Sequence, residues 1–283
     1  MIFSESAPDI WSLSRKYRRS FCPRSAILRY REAPRAREED ASEIAVRAYA
    51  CGKKISDSKF LREIMLGVLR REFYAGETDP ARLDGVVSEA FHLEYRKLIY
   101  GRSDRQLFSL CREPDFEGKC RELEHLLTTY LNNIRPHWAQ LLAVPPEARR
   151  SIVRVLDLNI SRWRCFGSPL CAYFECGKLC FVELRGGDFS GDEPETAMLH
   201  RVYALNFCSR DPGSVESMVL DYHNGTMRIF NSGNDISRAV KNVKDELARW
   251  EELWEMDYRD IPGNEVNCPQ CVFAEICKTN ERK

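Results

Sequence analysis

Cys268-Pro-Gln-Cys271-Val-Phe-Ala-Glu-Ile-Cys277, near the end of the sequence, sets the architecture that we expect for this chain. Its three cysteines follow the spacing C-x₂-C-x₅-C, and thiolates this close together in a short loop are able to converge on one metal centre. Three ligands leave such a site one short, so a fourth has to come from elsewhere. The best candidate is Cys22, in Phe21-Cys22-Pro23-Arg24. A site built in this way ties the two ends of the sequence together.

Composition limits the class of protein. The chain has 283 residues, of which 43% are apolar and 30% charged, which is typical of a globular protein with a sizeable core. Lys+Arg and Asp+Glu are balanced at 43 each, so no overall charge recruits nucleic acid or a membrane. The sequence shows neither a signal-peptide pattern nor the roughly 20 apolar residues that span a bilayer. We therefore expect a cytoplasmic protein without membrane contact, in which clustered cysteines bind metal instead of forming disulfides.

The positive charge is concentrated in the first forty residues, where aromatic side chains are interleaved with arginines. This pattern is typical of surfaces that bind nucleic acid, and single-stranded DNA ends are the expected ligand. An ordinary solvated helix face is the alternative. The candidate DNA-binding residues are Arg15, Lys16, Arg18, Arg19 and Arg24.

The first half of the chain shows mainly helical periodicity. Apolar residues recur at helical spacing from Ser58 to Phe73, after Asp79-Pro80, and from Cys120 to Ile134, where Pro136 is expected to end the helix. Residues 34–45 are polar and unpatterned, and predict an exposed loop. Ser12 or Ser14 is expected to cap a basic helix.

The second half changes to strand patterns. Cys176-Gly177 predicts a tight turn between strands at Leu170–Glu175 and Lys178–Arg185, and residues 195–207 predict a helix. His223-Asn224-Gly225 predicts a second hairpin, between Val215–Asp221 and Thr226–Phe230. No linker separates the halves, so we expect one domain over 1–283, with a helical subregion at about 40–140 and a core at about 150–257.

Together these features resemble one known group. The features are Trp11-Ser12-Leu13-Ser14-Arg15, the segment around Cys22, a hairpin ending in an acidic-x-basic tripeptide, and the terminal cysteine pattern. They resemble the iron–sulfur branch of the PD-(D/E)XK nuclease superfamily, which includes RecB-like and CRISPR-associated exonucleases. The resemblance covers nearly the whole chain. It implies an α/β fold, with a restriction-endonuclease-like mixed β-sheet flanked by helices, a helical N-terminal half and a C-terminal Fe–S cysteine loop. It also implies a 4Fe–4S cluster, for which zinc is the alternative, held by Cys22, Cys268, Cys271 and Cys277.

The catalytic positions that the resemblance implies depart from the family pattern. Members read roughly Pro-Asp-Leu-Ala-Tyr-Phe, a turn, then Asp-Trp-Lys-Thr-Gly, in which two acids bind a divalent metal and the lysine positions the attacking water. Here the second acid is present as Glu183, but Leu170 replaces the first acid. Arg185 replaces the lysine, and arginine stays protonated and binds phosphate instead of handling water.

Two further motif positions have changed. The helix around residues 60–67 lacks the metal-binding histidine that many members carry. A glutamine four residues before Tyr203 is replaced by Leu199, although the tyrosine is kept. A migrated acid could compensate for one loss, and the candidates near enough in sequence are Asp157, Glu175, Asp188 and Glu195. Mg²⁺ or Mn²⁺ is expected only if the site is active, because Mg²⁺ requires hard oxygen ligands in octahedral array.

These observations leave three hypotheses open. The first is a catalytically inactive, Fe–S-containing subunit that binds DNA or acts as a scaffold, beside a helicase or nuclease partner in a DNA-processing or defence complex. The second is a divergent metal-dependent DNA exonuclease with relocated acids. The third is a structural interaction protein that does not bind DNA.

Overall fold

The computed structural model describes residues 10–76, 79–150, 156–160, 163–167, 169–186, 193–207, 214–230 and 236–280. These residues form a mixed α/β protein, as the sequence predicts. Among the helices described, none carries an apolar stretch long enough to cross a bilayer. The candidate acid Asp188 lies outside the described residues.

Helices dominate the chain up to residue 142 and return in its last third. The α-helices are α1 (Leu13–Phe21), α2 (Pro23–Ile27), α3 (Glu43–Gly52), α4 (Asp57–Ala75), α5 (Leu83–Ile99), α6 (Phe108–Arg112), α7 (Phe116–Leu142), α8 (Glu193–Phe207), α9 (Ile236–Glu255) and α10 (Ala274–Asn280). Short 3₁₀ turns include Ala33–Arg37 and Glu265–Gln270, and Leu28–Glu32 is a π-helical turn.

The strands are short at the start of the chain and longer after residue 155. They are β1 (Ile10–Ser12), β2 (Lys54–Ile55), β3 (Gln106–Leu107), β4 (Leu156–Ile160), β5 (Trp163–Gly167), β6 (Cys171–Glu175), β7 (Lys178–Arg185), β8 (Val215–Asp221) and β9 (Met227–Phe230). One sheet has the order β1-β5-β4, with β1 parallel to β5.

The described chain divides into two compact units. The single domain expected over 1–283 stays a prediction. Unit 1 comprises Met1–Ile55, Asn159–Phe166 and Lys241–Lys283, and unit 2 comprises Ser56–Leu158 and Gly167–Val240. Unit 1 is therefore assembled from segments that are far apart in sequence. Its core combines residues of α2 and α3 with residues near the C-terminal end, such as Trp250, Ile261 and Phe273.

A four-stranded mixed sheet lies in unit 2, in the order β6-β7-β8-β9. Strand β7 is antiparallel to β6 and parallel to β8, and β8 is antiparallel to β9. The turn between β6 and β7 is at Cys176-Gly177, as predicted, with φ values of 47° and 78°. Glycine adopts this left-handed conformation without steric cost, so Gly177 fixes where the hairpin reverses.

Three local predictions have different outcomes. Ser12 caps α1, as predicted, because its Oγ accepts a hydrogen bond from the Arg15 backbone N–H at 3.2 Å. The loop predicted at 34–45 is wrong in part, since α3 begins at Glu43 behind a Ser42 cap. The stop predicted at Pro136 is also wrong, because α7 continues to Leu142.

Candidate functional site

The four candidate ligand cysteines all lie in unit 1. Cys22 is buried between α1 and α2, where its backbone N–H donates to the carbonyl of Arg18 at 3.0 Å. The Asn267 side-chain amide donates to the carbonyl of Phe21 at 2.6 Å, which joins the C-terminal segment to the residue just before Cys22. The structure therefore brings the lone N-terminal cysteine and the C-terminal cysteine loop into one neighbourhood.

The thiols in this neighbourhood affect one another. Burial raises the pKa of Cys277 to about 11, against the lowering effect of the Arg24 charge and with smaller contributions from the nearby thiols of Cys271 and Cys22. Burial also raises the pKa of Cys271, and the thiols of Cys22 and Cys268 add to this effect. These raised values indicate that the thiolate forms need a positive partner.

The donor set fits a four-thiolate centre in its chemistry. Among the described residues all of its cysteines are free thiols, and metal binding removes their protons in exchange for a cationic partner. In the part of the chain that the structure describes, no three Cys, His, Asp or Glu side chains are assembled as a ligand group. Cys22, Cys268, Cys271 and Cys277 are the residues that would hold an iron–sulfur cluster or zinc, which would supply a structural cross-link between the chain ends.

Two of the arginines of α1, Arg15 and Arg19, do not lie on a solvated basic face. Arg19 is buried, its Nη1 lies 2.8 Å from Oε1 of Glu246, and its guanidinium lies 4.5 Å above the ring of Trp250. Arg15 is also buried, and its guanidinium lies 4.4 Å from the ring of Tyr30. These two side chains fix α1 within unit 1 instead of presenting charge to a ligand.

The other candidate DNA-binding residues are only half-buried. Arg24 donates from Nε to the carbonyl of Ile261 at 2.9 Å and from Nη2 to that of Arg259 at 3.2 Å. Arg18 lies 5.8 Å from the ring of Phe21, while Lys16 is on the same helix. The sequence pattern could not distinguish these positions from Arg15 and Arg19.

A polar layer lies between the mixed sheet and α8 in unit 2. Glu183 and Ser217 come from β7 and β8, and His200 comes from α8; all three side chains are buried. Nε2 of His200 lies 3.2 Å from Oε1 of Glu183, and Nδ1 lies 2.9 Å from Oγ of Ser217. The His200 ring also stacks on Phe181, with centroids 4.5 Å apart. Every polar atom of this histidine is therefore used within the protein.

The charge of Glu183 is stabilised by the residues around it. Burial alone would raise the pKa of its carboxyl. The hydrogen bond from His200 and the positive charges of Arg185 and Arg62 oppose burial, and the net result is a lowered pKa. Arg62 is fixed there because its Nε donates to the carbonyl of Leu184 at 3.0 Å. Glu183 is thus an ionised carboxylate whose charge is balanced by protein side chains.

The remaining motif positions are also internal. The Leu170 backbone N–H donates to the carbonyl of Val182 at 2.6 Å, so the register of the hairpin places Leu170 opposite Glu183. Leu170 is fully buried. Arg185, also buried, donates from Nη2 to Oγ1 of Thr196 at 2.5 Å.

Of the possible migrated acids, Glu175 is exposed at the turn end of β6 and Glu195 is buried in the first turn of α8. The side chain of Asp157 lies outside the described residues. Tyr203 is buried and packs its ring edge-to-face on Phe181, with centroids 5.8 Å apart. It contributes to the packing of α8 on the sheet.

Ser217, His200 and Glu183 have the hydrogen-bond order of a serine hydrolase triad, which sequence reasoning missed because the three residues share no motif. Such a triad requires a nucleophile that a substrate reaches and an oxyanion site beside it. Ser217 and His200 have no exposed surface. The arrangement therefore acts as a buried, satisfied hydrogen-bond network and not as a nucleophilic centre.

Comparisons with known proteins add little to this description. No family model and no curated protein matches the chain. One solved structure, described as the crystal structure of SSO0001, aligns with 80% of this chain and 86% of its own, at 13% identity and a TM-score of 0.26. Similarity at that level supports no inference about fold or function.

Proposed function

We propose that this protein is a catalytically inactive, PD-(D/E)XK-like subunit that binds DNA or acts as a scaffold in a DNA-processing or defence complex. The observation that carries the proposal is the state of the one remaining motif acid. Glu183 is buried and bonded to His200, and the residue opposite it is the fully buried Leu170. One metal-ligand position is therefore already engaged, and the side chain at the other position has no oxygen.

The neighbouring charges support the same conclusion. A divalent metal ion between two acids would sit close to the guanidinium of Arg185 and to Arg62, both of which already stabilise the Glu183 carboxylate. Like charges in a buried site repel strongly, so these cations oppose metal binding. Side-chain burial also separates this layer from solvent and hence from a phosphodiester substrate.

The proposal includes a restriction-endonuclease-like fold and a 4Fe–4S cluster held by the four cysteines, with zinc as the alternative metal. The mixed four-stranded sheet and the shared neighbourhood of the cysteines support these two elements. Anaerobic purification followed by iron, zinc and acid-labile sulfide assays tests the second. Iron and sulfide in equal amounts are expected, while zinc without sulfide would contradict the cluster.

The loss of catalysis is tested with end-labelled single- and double-stranded DNA in the presence of Mg²⁺ or Mn²⁺. We expect no degradation by the wild-type protein, by Glu183→Gln or by the control Glu175→Gln, whose side chain is exposed on the same hairpin. Robust metal-dependent degradation that Glu183→Gln abolishes and Glu175→Gln retains would overturn the proposal in favour of an active exonuclease.

A further inference from the structure

A group of cations in unit 1 converges on one tyrosine. The Nζ atom of Lys53, which follows α3, lies 4.5 Å from the ring centroid of Tyr49, and the guanidinium of Arg37 lies 5.8 Å from it. Hydrogen bonds from Arg37 and then Lys53 to the hydroxyl lower the pKa of Tyr49. The positive side chains of Arg37 and Lys53 therefore both contact Tyr49.

The positive charge continues from this tyrosine to a further arginine. Arg29 donates from Nη1 to the carbonyl of Gly52 at 3.0 Å, which places its guanidinium beside the residue before Lys53. Arg29, Lys53 and Arg37 are therefore successive neighbours, and we refer to them as the cation track.

The cation track differs from the other arginines nearby in its partners. Arg35 and Arg47 each lie within 4.0 Å of a carboxylate, on Glu38 and Glu43. Across the described ranges of the chain, none of the three track residues forms an ion pair with Asp or Glu. Crowded cations without carboxylates repel one another, and an external polyanion relieves that repulsion.

A purely structural role accounts for part of this arrangement only. Cations are stabilised at a helix C-terminus by the helix dipole, which explains Arg29 and Lys53 at the end of α3. It does not explain Arg37, which comes from the 3₁₀ turn before α3 and is exposed. Since Lys53 already lies over the Tyr49 ring, the tyrosine orients cations and is not a platform for stacking a base.

We infer that the cation track binds the phosphodiester backbone of a nucleic-acid strand. This inference rests on the proposed DNA binding and gives it a location outside the buried arginines of α1. Recognition through phosphate carries no base information, so binding is expected to be independent of base sequence and strongly dependent on salt.

The test measures the fluorescence anisotropy of labelled oligothymidylate at several salt concentrations. Arg37→Gln/Lys53→Gln removes two charges, and we expect roughly tenfold weaker binding at low salt and a salt slope smaller by about 1.4, since each contact to a single strand contributes about 0.7. Lys241→Gln/Arg259→Gln is the matched control, because both cations are exposed in unit 1 and paired with Asp245 and Asp257. We expect this control to bind as the wild type does, and unchanged thermal unfolding checks that both variants fold.

The outcomes separate this inference from the proposal on which it rests. If Arg37→Gln/Lys53→Gln binds with the affinity and salt slope of the wild type, the inference about the cation track is wrong, while the proposal of DNA binding still stands. A wild-type protein that does not bind oligothymidylate or duplex DNA at low salt would overturn the DNA-binding proposal itself. A third outcome would also overturn the inference. If inorganic phosphate displaces the oligonucleotide when its concentration equals that of the oligonucleotide phosphate groups, the track is a small-anion site.

Discussion

Replacing His200 with leucine removes both hydrogen bonds that the imidazole makes, to Glu183 at 3.2 Å and to Ser217 at 2.9 Å. The site is buried, so water does not replace the lost partner. Leaving a buried hydrogen-bonding group without its partner costs about 1–3 kcal/mol, and more when the group is charged. Arg185 still stabilises Glu183, but Ser217 also loses its partner, so we expect a loss of about 3 kcal/mol of unfolding free energy.

This loss is expected to depend on pH, with a sign set by the lowered pKa of Glu183. In the wild-type protein a carboxyl with a lowered pKa contributes stability that is present above its unfolded pKa and is lost as pH falls through the folded pKa. In His200→Leu the lowering hydrogen bond is gone, so this contribution of Glu183 is smaller. The stability difference between wild type and variant is therefore expected to narrow from about pH 7 to about pH 4, as Glu183 of the wild-type protein becomes protonated.

The assay is urea denaturation followed by circular dichroism at both pH values. The control is His92→Leu, which breaks a His–Glu pair of 2.8 Å whose side chains are 38% and 39% exposed. An exposed pair contributes about 1 kcal/mol or less. Equal losses of unfolding free energy in His200→Leu and His92→Leu would refute the reasoning. A stability difference between His200→Leu and wild type that widens as pH falls would also refute it.

Two further predictions concern the cysteine loop and a close backbone approach. Cys22→Ser is expected to lower both metal content and melting temperature, whereas Cys171→Ser, buried in β6, should keep the metal content of the wild type in the same assay. Gly225→Ala is expected to cost about 3 kcal/mol in urea denaturation, because φ is 72° and an added Cβ would lie 2.6 Å from the backbone oxygen of Asn133. Gly101→Ala, with φ of 64° and open space around it, should cost only about 1 kcal/mol, and equal costs would exclude the clash as the cause.

Local features of the fold are predictable from the sequence. The β6–β7 hairpin follows from two short, mainly apolar runs on either side of Cys176-Gly177. The cap at Ser12 follows from a hydroxyl three residues before an available N–H. Pro136 is misleading because proline disfavours a helix interior by about 3 kcal/mol, yet the buried residues Ile134 and Trp138 on either side continue to pack.

Long-range pairing is what the sequence does not reveal. Arg19 and Glu246 are 227 residues apart, so nothing near Arg19 indicates that its charge is internal. Glu183, His200 and Ser217 meet only because the β7–β8 register and the packing of α8 bring three elements together. The replacement of the first acid by Leu170 is visible in the sequence, whereas the partners that hold Glu183 are not.

The discontinuity of unit 1 has a consequence for biosynthesis. Residues up to Ile55 leave the ribosome first, but the chain that completes their core begins at Lys241. Trp11 and Arg19 therefore cannot bond to Glu246 until that residue has been synthesised, 227 residues after Arg19. Ser56–Leu158 and Gly167–Val240 are complete earlier, so unit 2 has the opportunity to fold during translation. Any metal that Cys22 shares with Cys268, Cys271 and Cys277 can bind there only after Cys277 has been synthesised, and a chain that stops before Cys268 would lack three of these four ligands whatever the metal supply.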